Sequence, residues 1–158
     1  MPIDLARLRE KARQQNGVDV VSERDLAEAE RALGFALPPL LLTIYREVSG
    51  GAFGPGYGFY GLAKGTKLFP DETAAGLYTS FRTGDPDDPT FSWPEKLLPL
   101  VDWGCAIRSC ADCRSPSLPI IRFDPTKEGP AQFEPEDLSL EDWLQAWLDG
   151  RDLWPVAR

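Results

Sequence analysis

Apolar positions in the first fifty residues recur every three or four places, the spacing of helices that bury one face. Leu5, Leu8 and Ala12 share a face over about residues 4–15, and Gly17 is expected as a left-handed stop. Leu26, Ala29 and Leu33 mark a second helix. Ser22 stands at its start with Asp25 three residues on, so the hydroxyl can take up a free first-turn amide; Gly34 ends it. Leu37-Pro38-Pro39 opens a third, because a proline at the first helical position loses no hydrogen bond. Leu41, Ile44, Tyr45 and Val48 form its inward stripe, and Gly50-Gly51 breaks it.

The period then changes. Residues 54–62 read as a Gly-rich turn entering an aromatic strand. Ala74, Leu77, Tyr78 and Phe81 give one more helical stripe, and Gly84-Asp85-Pro86-Asp87-Asp88-Pro89 after it can only be loop. Strand-like pieces at 98–101, 106–112, 119–124 and 131–134 are spaced closely enough to be antiparallel neighbours. A last helix starts at Ser139, with Asp142 completing its capping pattern. Leu140, Trp143, Leu144, Trp147 and Leu148 make a wide apolar face, and Gly150 closes it. The order predicts an α+β fold: a mainly antiparallel sheet packed against N-terminal helices and a C-terminal helix, in one domain over residues 1–158.

Composition agrees with a packed core, since 42% of residues are apolar and 11% aromatic, too many for a disordered chain. No apolar run approaches the ~20 residues of a membrane span. Arg7, Arg9, Glu10, Lys11 and Arg13 follow the N-terminus where a secretory signal would need an apolar stretch, so a cytoplasmic protein is expected. The net charge of −8 is unevenly spread: residues 1–70 carry +1 and residues 71–158 carry −9. Such a surface repels phosphate backbones, which argues against direct nucleic-acid binding. It attracts a basic protein, although solubility alone also accounts for it.

Candidate chemistry is sparse. Gly56-x-Gly58-x-x-Gly61 spells a dinucleotide fingerprint, but that motif needs a strand before it and a helix after it, and the order here is reversed. Cys105, Cys110 and Cys113 offer thiolates to zinc, yet a structural site wants four ligands. The chain has no histidine, so Asp102 or Asp112 would have to serve as the fourth. On one regular strand Cys110 would also face away from the other two. Three clustered cysteines fit a reducing compartment, and neither metal nor cofactor is expected. Without histidine, a G-x-S-x-G elbow or a P-loop, no catalytic residue is assigned. Carboxylate pairs such as Asp87 with Asp88 and Glu136 with Asp137 leave a hydrolase as the remaining enzymatic alternative. Trp93, Trp103 and Trp154 lie outside the helical patterns, and an exposed one among them would suit a partner-binding anchor.

Several short motifs occur in a fixed order. Glu30-x-x-Leu33-Gly34-x-x-Leu37-Pro38 is followed by Tyr45 and Gly50-Gly51. Trp93-Pro94, Asp102-Trp103-Gly104-Cys105 and Cys110-x-Asp112 come next, and Ser139-Leu140-Glu141-Asp142-Trp143-Leu144 with Trp147-Leu148-x-Gly150 completes the series. Over roughly residues 22–150 this order resembles the SUKH superfamily, which includes the yeast cell-wall-assembly regulators. The resemblance implies an α+β fold and a non-catalytic role. Bacterial members are commonly immunity proteins that bind polymorphic toxins, many of them nucleases; a regulatory scaffold is the alternative. On the first reading, the acidic C-terminal half would meet a basic toxin domain. Asp85, Asp87 and Asp88 in the loop, and Glu134, Glu136 and Asp137 before the last helix, have no evident part in the fold and are the candidate partner-binding residues.

Overall fold

A computed structural model describes residues 2–15 and 17–154. Helix α1 (Leu5–Gln14) is capped by Asp4, whose carboxylate accepts from the Arg7 amide at 3.1 Å. In α2 (Glu23–Leu33) the Ser22 hydroxyl accepts from the Asp25 amide at 3.1 Å, and Gly34 closes the helix at φ 81°. Helix α3 (Pro39–Thr43) has its proline in the first turn and runs on into a π-helical turn at Ile44–Val48. That wider turn keeps Leu41, Ile44 and Tyr45 buried and leaves Val48 half-buried.

The sheet has four antiparallel strands in sequence order: β1 (Leu97–Asp102), β2 (Arg108–Asp112), β3 (Pro119–Phe123) and β4 (Phe133–Ser139). The aromatic strand expected within 54–62 is not among them. Phe59 forms one isolated bridge to Val101, and the Tyr57 and Tyr60 amides donate to the Asp102 and Leu100 carbonyls at 2.9 and 2.8 Å. Gly54, Gly56 and Gly58 all have positive φ, so every second residue turns the chain out of a ladder. At Gly56 glycine is also required by space, because a Cβ would stand 2.7 Å from the Asp102 carbonyl oxygen. The helix that meets Gly61 is α4 (Ala74–Thr83), and its first amides are already taken: Ala74 and Ala75 donate to the Gly61 and Leu62 carbonyls at 2.8 and 3.1 Å and Gly76 to the Thr73 hydroxyl, which leaves none of the three for a phosphate.

Strand β4 begins almost where the expected 131–134 piece ends, because Gly129–Gln132 forms a 3-10 turn. Its register slips: Ile121 pairs with Pro135 but Pro119 pairs with Ser139, which leaves residues 136–138 as an excursion from the ladder with Asp137 at φ 58°.

One hydrophobic core unites helices and sheet. Phe123 and Phe133 face a ring cluster of Phe81 from α4, Phe91 and Trp93, with centroids 4.6–6.5 Å apart. Helix α5 (Leu140–Leu148) is capped by Ser139, and buries Leu140, Trp143 and Leu144 completely. Trp147, expected on the same apolar face, is only half-buried, between Phe53 and Lys11. Among the described residues no helix is long and apolar enough to cross a membrane.

Candidate functional site

One transverse row of the sheet, Asp102–Arg108–Phe123–Phe133, marks an end at which several loops meet. The β1–β2 hairpin and the β3–β4 turn both leave from this row. The acidic loop after α4 reaches the same end, because Phe91, just beyond it, lies 6.4 Å from Phe123 and 6.3 Å from Phe81.

The β1–β2 hairpin carries three consecutive positive φ values: Gly104 at 97°, Cys105 at 54° and Ala106 at 61°. For the two residues with side chains this costs about 1–2 kcal/mol each. A buried polar network holds the turn in place. The Asp102 carboxylate accepts from the Gly104 amide and, at 3.0 Å, from the Tyr60 hydroxyl. Arg108 Nε donates to that hydroxyl oxygen at 2.9 Å, and the guanidinium lies 3.5 Å from Glu72 and over the Phe81 ring. Burial pushes the Tyr60 phenol well above its usual range, so it stays protonated and keeps donating to Asp102. Two buried charges, Asp102 and Arg108, thus share one hydroxyl rather than standing alone.

Aromatic rings surround the turn. Tyr57 is 56% exposed and leans on Gly104, where a Cβ would be 3.4 Å from its ring. Half-buried Trp103 donates from Nε1 to Ser109 Oγ at 2.8 Å and lies 5.3 Å from the ring of Trp154, itself 40% exposed. The Trp154 amide is fixed by the Asp152 carboxylate at 2.9 Å. Of the three tryptophans outside the helical patterns, Trp93 is core, Trp103 is a support and Trp154 is the exposed one.

The candidate acids separate into two settings. Asp85, Asp87 and Asp88 are exposed and form no ion pair among the described residues. Two of them shape the loop: Asp85 accepts from the Asp87 amide, and Asp88 accepts from the Thr90 hydroxyl and amide, which holds its carboxyl below the usual range. Phe133 and Glu134 are adjacent in a regular stretch, so Glu134 points to the face opposite the aromatic cluster. There Arg122 contacts Glu134 at 2.6 Å and Glu136 at 3.7 Å, and Lys127 reaches Glu134 at 3.6 Å. The Arg122 guanidinium draws the Glu134 carboxyl down, whereas burial pushes Glu136 up despite its hydrogen bond from Ser109. Glu134 and Glu136 therefore brace β3 and β4, a structural part that the sequence did not reveal. Asp137 is exposed on the β4 excursion.

The cysteines take three environments: Cys105 is exposed on the hairpin, Cys110 buried in β2 and Cys113 half-buried beyond it. Burial drives the Cys110 thiol upward and pushes Cys113 up to about 12. Among the described residues no group of three or more Cys, Asp or Glu side chains is arranged to hold a metal ion.

Tyr57 and the Tyr60–Arg108 link were not singled out in the sequence. Their only trace is the aromatic run after Gly54, because the contacts join residues 42 and 48 positions apart.

No curated protein and no solved structure matches the chain. The model of one family does match, over residues 20–146, a span that contains α2, the acidic loop, the whole sheet and most of α5. The chain belongs to the SMI1 / KNR4 family (SUKH-1).

Proposed function

We propose that this chain is a non-catalytic, immunity-type protein that works in the cytoplasm by binding and covering a basic toxin domain. The observation that carries the reading is the acidic loop. In a member of this family, Asp85, Asp87 and Asp88 project from one end of the sheet without ion-pair partners among the described residues. Exposed carboxylates add little to stability, but they accelerate encounter with an oppositely charged partner. The acidic excess disfavours direct nucleic-acid binding, so a nuclease would be met through its basic protein surface. Of the second acidic group, Glu134 and Glu136 are paired with Arg122, and Asp137 is the exposed member that would add to the same field.

Co-expression with the candidate toxin domain encoded nearest to this gene tests the reading. Restored growth and a purified complex support it, and continued killing by a folded, co-expressed pair refutes it. Within such a complex, the combined Asp85→Asn, Asp87→Asn and Asp88→Asn variant should associate more slowly at low salt and show a flatter dependence on ionic strength. An unchanged association rate would remove the loop from the binding surface.

A further inference from the structure

We infer that Glu136, Ser109 and Trp103 form a proton-operated latch: the ionised carboxylate holds the β1–β2 hairpin to the 136–138 excursion of β4, and protonation releases it. The latch needs no partner and is independent of the toxin reading. Its contacts run in one line on the face of the sheet opposite the aromatic cluster. Trp103 Nε1 donates to Ser109 Oγ at 2.8 Å, and Ser109 Oγ donates to Glu136 Oε2 at 3.2 Å. Ser109 is fully buried, and the Glu136 side chain is 10% exposed. A hydroxyl has one hydrogen. While Glu136 is ionised that hydrogen has a strong acceptor, and the oxygen turns its lone pairs to the indole.

Both ends of the line are placed to move. Residues 136–138 pair with nothing on β3, so Glu136 can shift without breaking a ladder bond. Trp103 begins the β1–β2 turn, ahead of its three left-handed residues, and lies 5.3 Å from the Trp154 ring.

Neither Glu136 oxygen takes a proton without loss. At Oε1 the proton meets the Arg122 guanidinium, whose Nη1 lies 3.7 Å away and can only donate. At Oε2 it reverses the Ser109 bond and leaves the buried Ser109 hydrogen without its acceptor. Burial nonetheless pushes the Glu136 carboxyl above its ordinary range, because a carboxylate kept from water is itself costly. When the proton enters, the Ser109 link is the contact that yields. The neighbouring charges act on the same balance. Arg122 on β3 opposes the proton and Glu134 on β4 favours it. Lys127 acts through Glu134, and Asp124 through Arg122. On β2 the Cys110 thiol stays neutral, Asp102 is engaged by Tyr60 and the Gly104 amide, and beyond α5 Asp152 is turned to the Trp154 amide. The hairpin is therefore fastened above the folded-state value of Glu136 and loosened below it.

Two-dimensional indole NMR of the full chain tests the latch, titrated from neutral pH down past the ordinary glutamate value of 4.5 with the Glu136 carboxyl carbon followed in parallel. The Trp103 indole should move in one step that coincides with the Glu136 carboxyl, with its midpoint above 4.5. Below that step its hydrogen should exchange with water faster relative to the exposed Trp154 indole. The buried Trp93 and Trp143 indoles should stay, which reports an intact fold. Glu136→Gln keeps the shape without the charge and should hold the Trp103 indole near its acid position throughout. Ser109→Ala should keep the carboxyl step and lose the indole step. Glu134→Gln removes a repelling neighbour and should keep both steps at lower pH. A Trp103 indole that stays still through the Glu136 step, or that follows Glu134 below 4.5, overturns the inference on the wild type alone. So does a Glu136 midpoint at or below 4.5, or an indole step that survives Ser109→Ala.

Discussion

The ammonium of Lys11 stands 4.3 Å from the centre of the Trp147 ring and donates to the carbonyl oxygen of the same residue at 2.9 Å. One turn earlier in α1, Arg7 donates to the Leu148 carbonyl at 2.7 Å and pairs with Asp149 at 2.9 Å. The last carbonyls of a helix have no partners within it and carry its partial negative charge, so two cations from α1 complete the end of α5. Lys11→Met keeps the aliphatic stem and removes the charge. It should lower stability by about 1 kcal/mol, read as a shift in urea midpoint. Trp147→Ala should cost about 2–3 kcal/mol, less than the ~4–5 kcal/mol of Trp143→Ala, because the Trp147 ring is only half-buried. Equal losses would place both rings in the core.

The two most buried indoles differ in their polar atoms. Trp93 Nε1 donates to the Leu97 carbonyl at 2.7 Å, whereas Trp143 Nε1 is buried with no partner among the described residues. Replacing each by Phe removes similar volume, but only Trp93→Phe also breaks a buried hydrogen bond. Trp93→Phe should therefore be the more destabilising, by about 1–2 kcal/mol in chemical denaturation. The opposite ranking would mean that the Trp143 N–H does find an acceptor.

Glu134 and Glu136 share Arg122 and should respond to pH in opposite senses. Burial raises the folded-state pKa of Glu136, so the folded state holds the proton more tightly. Stability is lost as pH rises from the ordinary glutamate value of 4.5 through that higher folded value. Arg122 lowers Glu134, so its contribution is present above 4.5 and disappears as pH falls through the folded value. Glu136→Gln should flatten the stability profile on the alkaline side of 4.5, and Glu134→Gln on the acid side. Identical profiles for both variants would contradict the shared guanidinium.

Thiol titration should find one reactive cysteine in the native protein and three after unfolding. Cys105 is exposed, while burial keeps Cys110 and Cys113 protonated and covered at neutral pH. Cys105→Ser should abolish the native reaction. A residual fast thiol in that variant would place Cys113 at the surface.

Local chemistry was legible and distant chemistry was not. Ser22 and Ser139 cap their helices as their spacing indicates, and Gly34 ends α2, because each depends on neighbours within four residues. The run 54–62 has strand composition, but its alternating glycines outweigh the preference of Phe59 and Tyr60 for a ladder. Only the first two residues of β4 were anticipated, within the 131–134 piece, because Pro135 and the polar Glu134, Glu136, Asp137 and Ser139 leave no apolar alternation beyond Phe133. The acids of the candidate surface were visible as charges. That Glu134 and Glu136 are bound to Arg122, and that Tyr57 meets Gly104, followed only once the strands were in register.

The row Asp102–Arg108–Phe123–Phe133 separates a constant frame from an interchangeable end. Behind it lie the ladders and the ring cluster, where most substitutions would disturb packing. Beyond it lie the 85–88 loop, the hairpin turn and the 124–128 turn, whose side chains mostly face outward. The positions beyond the row can therefore be rewritten with little disturbance to packing, while the Tyr60 hydroxyl and the capped helices keep the same fold beneath them.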